Sequence, residues 1–179
     1  MRSHQNPTGT AEVAVRLVPV PPSAMRALVD GDLELASSLT GIRLSPFLAS
    51  EECTWLWRVR LAQADEDPSS AHWVARAAVA EPGGQVVGHA GFHGPPDESG
   101  TVEVGYTVDP AFRRRGYARA MVRALLAWAW NEEGVRTVRA SISPGNEASL
   151  ATIRPFGFER TGEQWDEDDG LEIVHELTL

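Results

Sequence analysis

Apolar residues recur along the chain with two different periods. Val13–Val18 alternates weakly with a period of two, and Thr101–Val108 (TVEVGYTV) is rich in β-branched residues; each predicts a strand. Beyond Asp109-Pro110 the period is that of a helix. Ala118, Met121, Val122, Leu125, Leu126 and Ala129 fall at i, i+3, i+4, i+7, i+8 and i+11, one face of a helix predicted to begin near Arg114 and to end at Gly134. His72–Ala80 and Gln85–Gly94 read as two strands joined by a turn at Glu81-Pro82-Gly83-Gly84. Val135–Ile142 is a further predicted strand, and Phe158–Trp165 with Leu171–Leu179 forms a closing hairpin around Glu167-Asp168-Asp169-Gly170.

The remaining segments are predicted from cap and breaker residues. Pro19, Pro21 and Pro22 close the first strand, and Ser23 caps a short helix; another covers Asp32 to Leu39. Ser50-Glu51-Glu52 opens a helix that runs to Ala64, followed by a polar loop over Asp65–Ser70. Asn146 caps a short helix ending near Pro155. Hairpins mixed with crossover helices predict an α/β (α+β) fold with a single mixed, mostly antiparallel sheet of about seven strands flanked by helices. The polar residues 1–12 are expected to be disordered and 13–179 to form one domain.

Composition narrows the chemistry. A chain of 179 residues is the size of one domain and long enough to build a core without staples. All 16 basic residues are arginine, so a lysine Schiff base, a P-loop lysine and a kinase-type ATP lysine are excluded. No G-x-G and no G-x-S-x-G occurs, which removes the dinucleotide fingerprint and the nucleophile elbow. The net charge of −9 argues against nucleic-acid or anionic-membrane partners. Cys53 is the sole cysteine, so neither an internal disulfide nor a multi-cysteine metal site is available, and no metal is expected. The polar first dozen residues and the short longest apolar run, Ala124–Trp130, lead us to expect a cytoplasmic protein.

The stretch Tyr106–Ala129 carries the most chemistry. A strand, a proline turn and then Arg-Arg-Arg-Gly-Tyr-Ala lead into an amphipathic helix whose start offers free N–H groups and partial positive charge. Gly116 lets the backbone approach a bulky ligand, and Arg113, Arg114, Arg115, Arg119 and Arg123 concentrate positive charge in an acidic chain, a combination suited to a pyrophosphate. The same arginines also read as a solvated basic face. Glu103 is a candidate general base; in mid-strand it must either reach solvent or point into a cleft. His89 and His93 share a strand face about 13 Å apart, too far for one metal ion, and read as surface or core histidines. Cys53 and most of the six tryptophans read as packing, and Glu167-Asp168-Asp169 as a hairpin turn, with attraction of a cationic amine as the functional alternative.

These residues together resemble the GCN5-related N-acetyltransferase superfamily. Arg113-Arg114-Arg115-Gly116-Tyr117-Ala118 matches its (Q/R)-x-x-G-x-(G/A) signature, Tyr106-Thr107-Val108 its strand tripeptide, and Asn146-Glu147-Ala148-Ser149 with Gly157-Phe158 its N-x-x-S…G-F feature. The similarity covers residues 72–179 well and 13–71 by element order. Glu103–Tyr106, Gly116–Ala118 and Asn146–Ser149 look like the branch that contains ribosomal-protein N-terminal acetyltransferases. The resemblance implies acetyl-CoA as co-substrate and a sheet splayed between the fourth and fifth strands. It further implies that Tyr106, Thr107 and Val108 lie along pantetheine, with an N–H near Val108 polarising the thioester carbonyl. Arg113, Arg114, Arg115, Gly116, Tyr117, Ala118 and Arg119 would hold the pyrophosphate, and Asn146 the thioester end. Direct transfer to a primary amine, a peptide α-amine or a small molecule, then follows, with Glu103 as base. Many members protonate the leaving thiolate with a tyrosine where this chain has Ile153; Ser149, or a water it holds, is the substitute, against a plain helix-cap serine. The rival reading is a non-catalytic acyl-CoA-binding or regulatory module. The expected partners are acetyl-CoA, the amine and a second copy of the chain, without nucleic acid or membrane.

Overall fold

The computed structural model describes residues 13–167 and 170–179. Its strands are β1 (Ala14–Pro19), β2 (Arg76–Glu81), β3 (Val86–Phe92), β4 (Thr101–Val108), β5 (Thr137–Ile142), β6 (Glu159–Asp166) and β7 (Gly170–Thr178). They form one sheet in the order β1-β2-β3-β4-β5-β7-β6, in which every neighbouring pair is antiparallel except β4 and β5. The helices are α1 (Pro22–Val29), α2 (Leu33–Thr40), α3 (Glu51–Glu66), α4 (Ala71–Val74), α5 (Tyr117–Trp130) and α6 (Glu147–Ile153). The expected mixed seven-stranded sheet is therefore what the chain adopts. Residues 1–12, expected to be disordered, and Asp168-Asp169 of the predicted turn lie outside the described residues.

Every residue of β3 is buried, as befits a central strand covered on both faces. Residues 88 and 92 meet α5: a Cβ built on Gly88 would approach the Met121 methyl, and the Phe92 and Trp128 rings lie 4.7 Å apart. His89 faces the other way, stacked on Phe47 and edge-on to Trp57 of α3. Trp57 is fully buried and donates its indole N–H to the Leu48 carbonyl at 2.7 Å, which satisfies the one polar atom it brings inside.

Several boundaries differ from expectation. His72, Trp73 and Val74 belong to α4 rather than to a strand. A strand would send the rings of His72 and Trp73 to opposite faces, whereas one helical turn sets both against Trp128, and His72 also bonds Glu132. Helix α1 starts on Pro21-Pro22 and not on a Ser23 cap. Asp65–Ser70 is not all loop, because α3 continues to Glu66 and a 3₁₀ turn takes Pro68–Ser70. At its far end α5 stops at Trp130, short of Gly134. Its buried stripe is Ala120, Met121, Val122, Leu125 and Ala129, while Ala118 and Leu126 are half-buried. The tryptophans divide evenly: Trp57, Trp73 and Trp128 pack inside, and Trp55, Trp130 and Trp165 are exposed.

Enclosure, with Arg60 nearby, pushes the His89 imidazole down to about 4. Between its ordinary value of 6.5 and about 4, the unfolded chain binds a proton that the native ring refuses. Stability should therefore be full above that window and fall as pH drops through it, by about 1.4 kcal/mol per pH unit from this ring. Urea unfolding from about pH 7 down to about pH 4.5 should show at least that slope, and His89→Phe should remove this ring's share of it while the share of His93, also held down at about 4, remains.

Candidate functional site

The sheet parts at its one parallel seam. β4 and β5 pair only at Thr101↔Thr137, Val102↔Val138 and Glu103↔Arg139. Beyond Glu103, β4 runs on to Val108 with β3 alone as a neighbour, while β5 follows β7 through all six of its residues. The gap opens into a cleft of about 690 Å3. Tyr106, Thr107 and Val108 form one wall of it, Phe112 and the start of α5 its floor, and α6 the opposite wall.

Local sequence shapes the floor. Asp109 accepts from the Ala111 N–H and begins a 3₁₀ turn at Pro110. Arg114 then takes a left-handed conformation (φ 62°), as does Gly116 (φ 87°). Helix geometry is thereby excluded until Tyr117, which is why α5 starts later than predicted. Gly116 is the N-cap without a side-chain cap, and the first intrahelical bond is from Ala120 N–H to the Gly116 carbonyl. The first-turn amides of Tyr117, Ala118 and Arg119 thus face the cleft end without intrahelical acceptors. Arg113, Arg114 and Arg119 line the same floor, with Arg113 Nε donating to the Val108 carbonyl at 3.3 Å. Arg115 is not part of the lining; its guanidinium lies 5.5 Å over the Phe112 ring. Left-handed backbone amides, a helix N-terminus and arginines make this floor an anion cradle.

On the opposite wall Asn146 caps α6, its Oδ1 accepting from Ser149 N–H at 3.1 Å. That leaves the Asn146 Nδ2 as a donor for a ligand. Ser149 is accordingly not the cap. Its hydroxyl and that of Thr152 reach the phenol of Tyr106, whose pKa is raised by burial despite the downward pull of both hydroxyls. Ile153 is 2% exposed and belongs to the core.

Period-two alternation sends Glu103, Gly105 and Thr107 to the other face of the sheet. There a second cavity of about 230 Å3 is lined by Gly105, Tyr106 and Thr107, by His89, Ala90, Gly91 and His93, and by Leu56, Arg60 and Val74. The two cavities share Tyr106 and Thr107. Glu103 lines neither; its carboxylate lies 3.7 Å from His93 Nδ1, and its own carbonyl accepts the His93 N–H. His93 is half exposed by area, yet its enclosure beside Arg60 holds the ring down at about 4, so this contact is not an ion pair near neutrality. Ser149 and Glu103 are therefore kept apart on opposite faces. Burial pushes the Cys53 thiol up to about 11, which leaves it no thiolate with which to act as a nucleophile.

Three contributions escape a strand-and-signature reading. Phe112, Ala148, Ala151 and Thr152 line the cleft, the Tyr106 phenol faces α6, and Arg60 lines the second cavity. Arg60 carried a signal: Cys53, Thr54, Trp57, Arg60 and Ala64 are the buried stripe of α3, so an arginine interrupts an otherwise inward-facing helical period.

Comparison with known proteins converges on one family. A family model described as "Acetyltransferase (GNAT) domain" matches residues 22–159. The N-acetyltransferase YjdG of Bacillus subtilis is 35% identical over 74 residues, 41% of this chain and 44% of the relative. The N-alpha-acetyltransferase RimI of Mycobacterium tuberculosis is 39% identical over 87 residues, 46% of this chain and 51% of the relative. The chain thus spans about half the length of these curated relatives. In fold it is similar to the ribosomal-protein-S5-alanine acetyltransferase of Vibrio fischeri, at TM-score 0.60 and 17% identity over 96% of this chain and 95% of the other. It is also similar to the aminoglycoside acetyltransferase AAC(6')-Ib solved with coenzyme A, at TM-score 0.57 and 18% identity over 93% and 95% of the two chains.

The backbone of the cradle can be tested separately from its charge. A Cβ on Gly116 would meet nothing closer than 3.8 Å, so Gly116→Ala should cost about 1–2 kcal/mol through the left-handed conformation alone. Arg114→Gly should be neutral or stabilising by up to about 1 kcal/mol, since strain relieved outweighs chain entropy. Urea unfolding of the two variants checks the opposite signs.

Proposed function

The chain belongs to the GNAT acetyltransferases, and on that premise we propose that it transfers an acetyl group from acetyl-CoA directly to a primary amine. The single observation that supports this most is the loss of β4–β5 pairing after Glu103↔Arg139, which opens the cleft above an anion cradle. Coenzyme A is an extended chain ending in a pyrophosphate, and the cleft offers it both complements. The edge of Tyr106–Val108 that lacks a strand partner presents backbone groups to the pantetheine amides, and the Tyr117–Arg119 amides with Arg113 and Arg114 receive the pyrophosphate. Asn146 Nδ2 donates near the thioester end.

Acetyl-CoA supplies the activated acyl group; the protein handles position and protons. The acceptor nitrogen bonds to the carbonyl carbon as the C–S bond breaks, and overall one proton leaves nitrogen and one reaches sulfur. An α-amino group, with a pKa near 7.7–8.0, is partly neutral at pH 7, whereas an alkyl amine near 10.4 needs a base. Glu103 serves as that base from the second cavity's side, its carboxylate beside His93, which lines the cavity wall. At the sulfur, the Tyr106 phenol takes the place that Ile153 leaves vacant in the family pattern, with Ser149 and Thr152 holding the phenol in place. Because its pKa is raised above 10.0 and a free thiol sits near 8.5, the phenol keeps its proton and stabilises the thiolate through a hydrogen bond. Solvent completes the transfer.

Thiol release from acetyl-CoA with a panel of amines and peptides tests the activity; acetyl-CoA binding without turnover on any of them would instead mean an acyl-CoA-binding module. Arg113→Ala with Arg114→Ala should weaken acetyl-CoA binding by about tenfold or more in calorimetry, the scale of one charge-assisted contact. Tyr106→Phe should lower kcat by about 100-fold, with acetyl-CoA affinity kept within about threefold. Glu103→Gln should cut turnover on alkyl amines more than on α-amines, read as the ratio of their kcat/KM values.

A further inference from the structure

The second cavity holds a buried positive charge with no carboxylate in contact with it among the described residues, although Glu103 acts on it, and Glu172 and Asp166 on neighbouring His93, from a distance. Arg60 is 9% exposed, buried among Trp57, His89 and the end of β3, and its side chain lines the cavity. Its Nη1 donates to Gln63 Oε1 at 2.8 Å and to the His93 carbonyl at 3.2 Å. Its Nε is buried with no hydrogen-bond partner, and among the described residues no carboxylate forms an ion pair with the guanidinium. Glu103 is near enough to be felt electrostatically but does not touch it. The imidazoles of His89 and His93, on the same wall, are neutral near pH 7. The Arg60 Nε is closed off from solvent, so the group left to meet a ligand in the cavity is Nη2, which has no hydrogen-bond partner among the described residues and is not shut in.

Resting on the acetyltransferase reading, we propose that this cavity is the acceptor subsite and that Arg60 selects an amine carrying a carboxylate. The Arg60 Nη2 can donate a charge-assisted hydrogen bond to a carboxylate. Tyr106 and Thr107 line both spaces, so the cavity lies across the same stretch of β4 from the cofactor cleft. At about 230 Å3 the cavity is smaller than the roughly 300–1,000 Å3 of sites for drug-sized ligands, and it suits a group of amino-acid size. Leu56 and Val74 supply an apolar wall for the atoms between amine and acid. Two sources present this chemistry: the α-carboxylate of a free amino acid and the acidic side chain of a peptide's first residue.

Matched pairs distinguish them: alanine against alaninamide, and an Asp-Ala amide peptide against its Asn-Ala counterpart. The acidic member of at least one pair should be preferred by about tenfold or more in kcat/KM, and the pair that shows it identifies the source. In Arg60→Met the preference should fall to about unity because the acidic member loses more kcat/KM than the neutral one, an asymmetry that a structural role would not produce. A wild-type protein indifferent to the acid in both pairs overturns the proposal, as does a preference that survives Arg60→Met. Should Arg60→Met not fold, Arg60→Gln, which removes the charge and keeps a donor, must lose most of the preference, and its survival there overturns the proposal. Binding of N-acetylalanine against N-acetylalaninamide to the coenzyme A-loaded protein, by calorimetry, needs no turnover. Acid-selective binding without turnover on any amine upholds the subsite and sinks the transferase reading, whereas turnover without acid-selective binding does the reverse.

Discussion

The architecture of the site depends on a hydrogen-bond ladder that stops. Parallel pairing between β4 and β5 lasts three residues, after which β5 commits all its length to β7 and β4 is left with β3. Backbone donors and acceptors left along such an edge need partners, so a parted sheet is a binding surface for an extended ligand rather than a flaw. The break also positions the helices. α5 starts at the open end of β4, and α6 starts at the open end of β5, so the amides of one and the hydroxyls of the other converge on the same gap.

Strand alternation then divides the labour between the two faces. Even-numbered residues of β4 look toward α5 and α6, and odd-numbered ones toward α3. The Tyr106 phenol therefore faces α6 while Glu103 lies beside His93 on the other face, although the two are only three residues apart. The charges follow the same division. Arginines with unpaired backbone amides collect around the cleft, while the smaller cavity contains one buried guanidinium among neutral rings.

Much of this was legible in the residues. The β-branched run Thr101–Val108 and the helical stripe that follows it were sufficient to give both elements, because each buries one face against the core. The signature Arg113–Ala118 located the cradle through the same physics, glycine at a left-handed position and amides at a helix start. Harder to see was α4, since His72-Trp73-Val74 has the composition of a strand and becomes helical only because both rings gain by packing on Trp128. The Tyr106 phenol and Arg60 were hidden for a related reason. Each is defined by what lies opposite it, Ser149 and Thr152 in one case and the end of β3 in the other, more than thirty residues away along the chain.

Local sequence thus determined most of the strands and helices and where the left-handed turn before α5 lies, because periodicity and backbone conformation are properties of short stretches. Tertiary structure alone decided which side chains share a cavity. Whether Glu103 joins Ser149 or His93, whether Ile153 faces cleft or core, and whether Arg60 is neutralised all depend on distances between elements, and those are set by how β5 leaves β4.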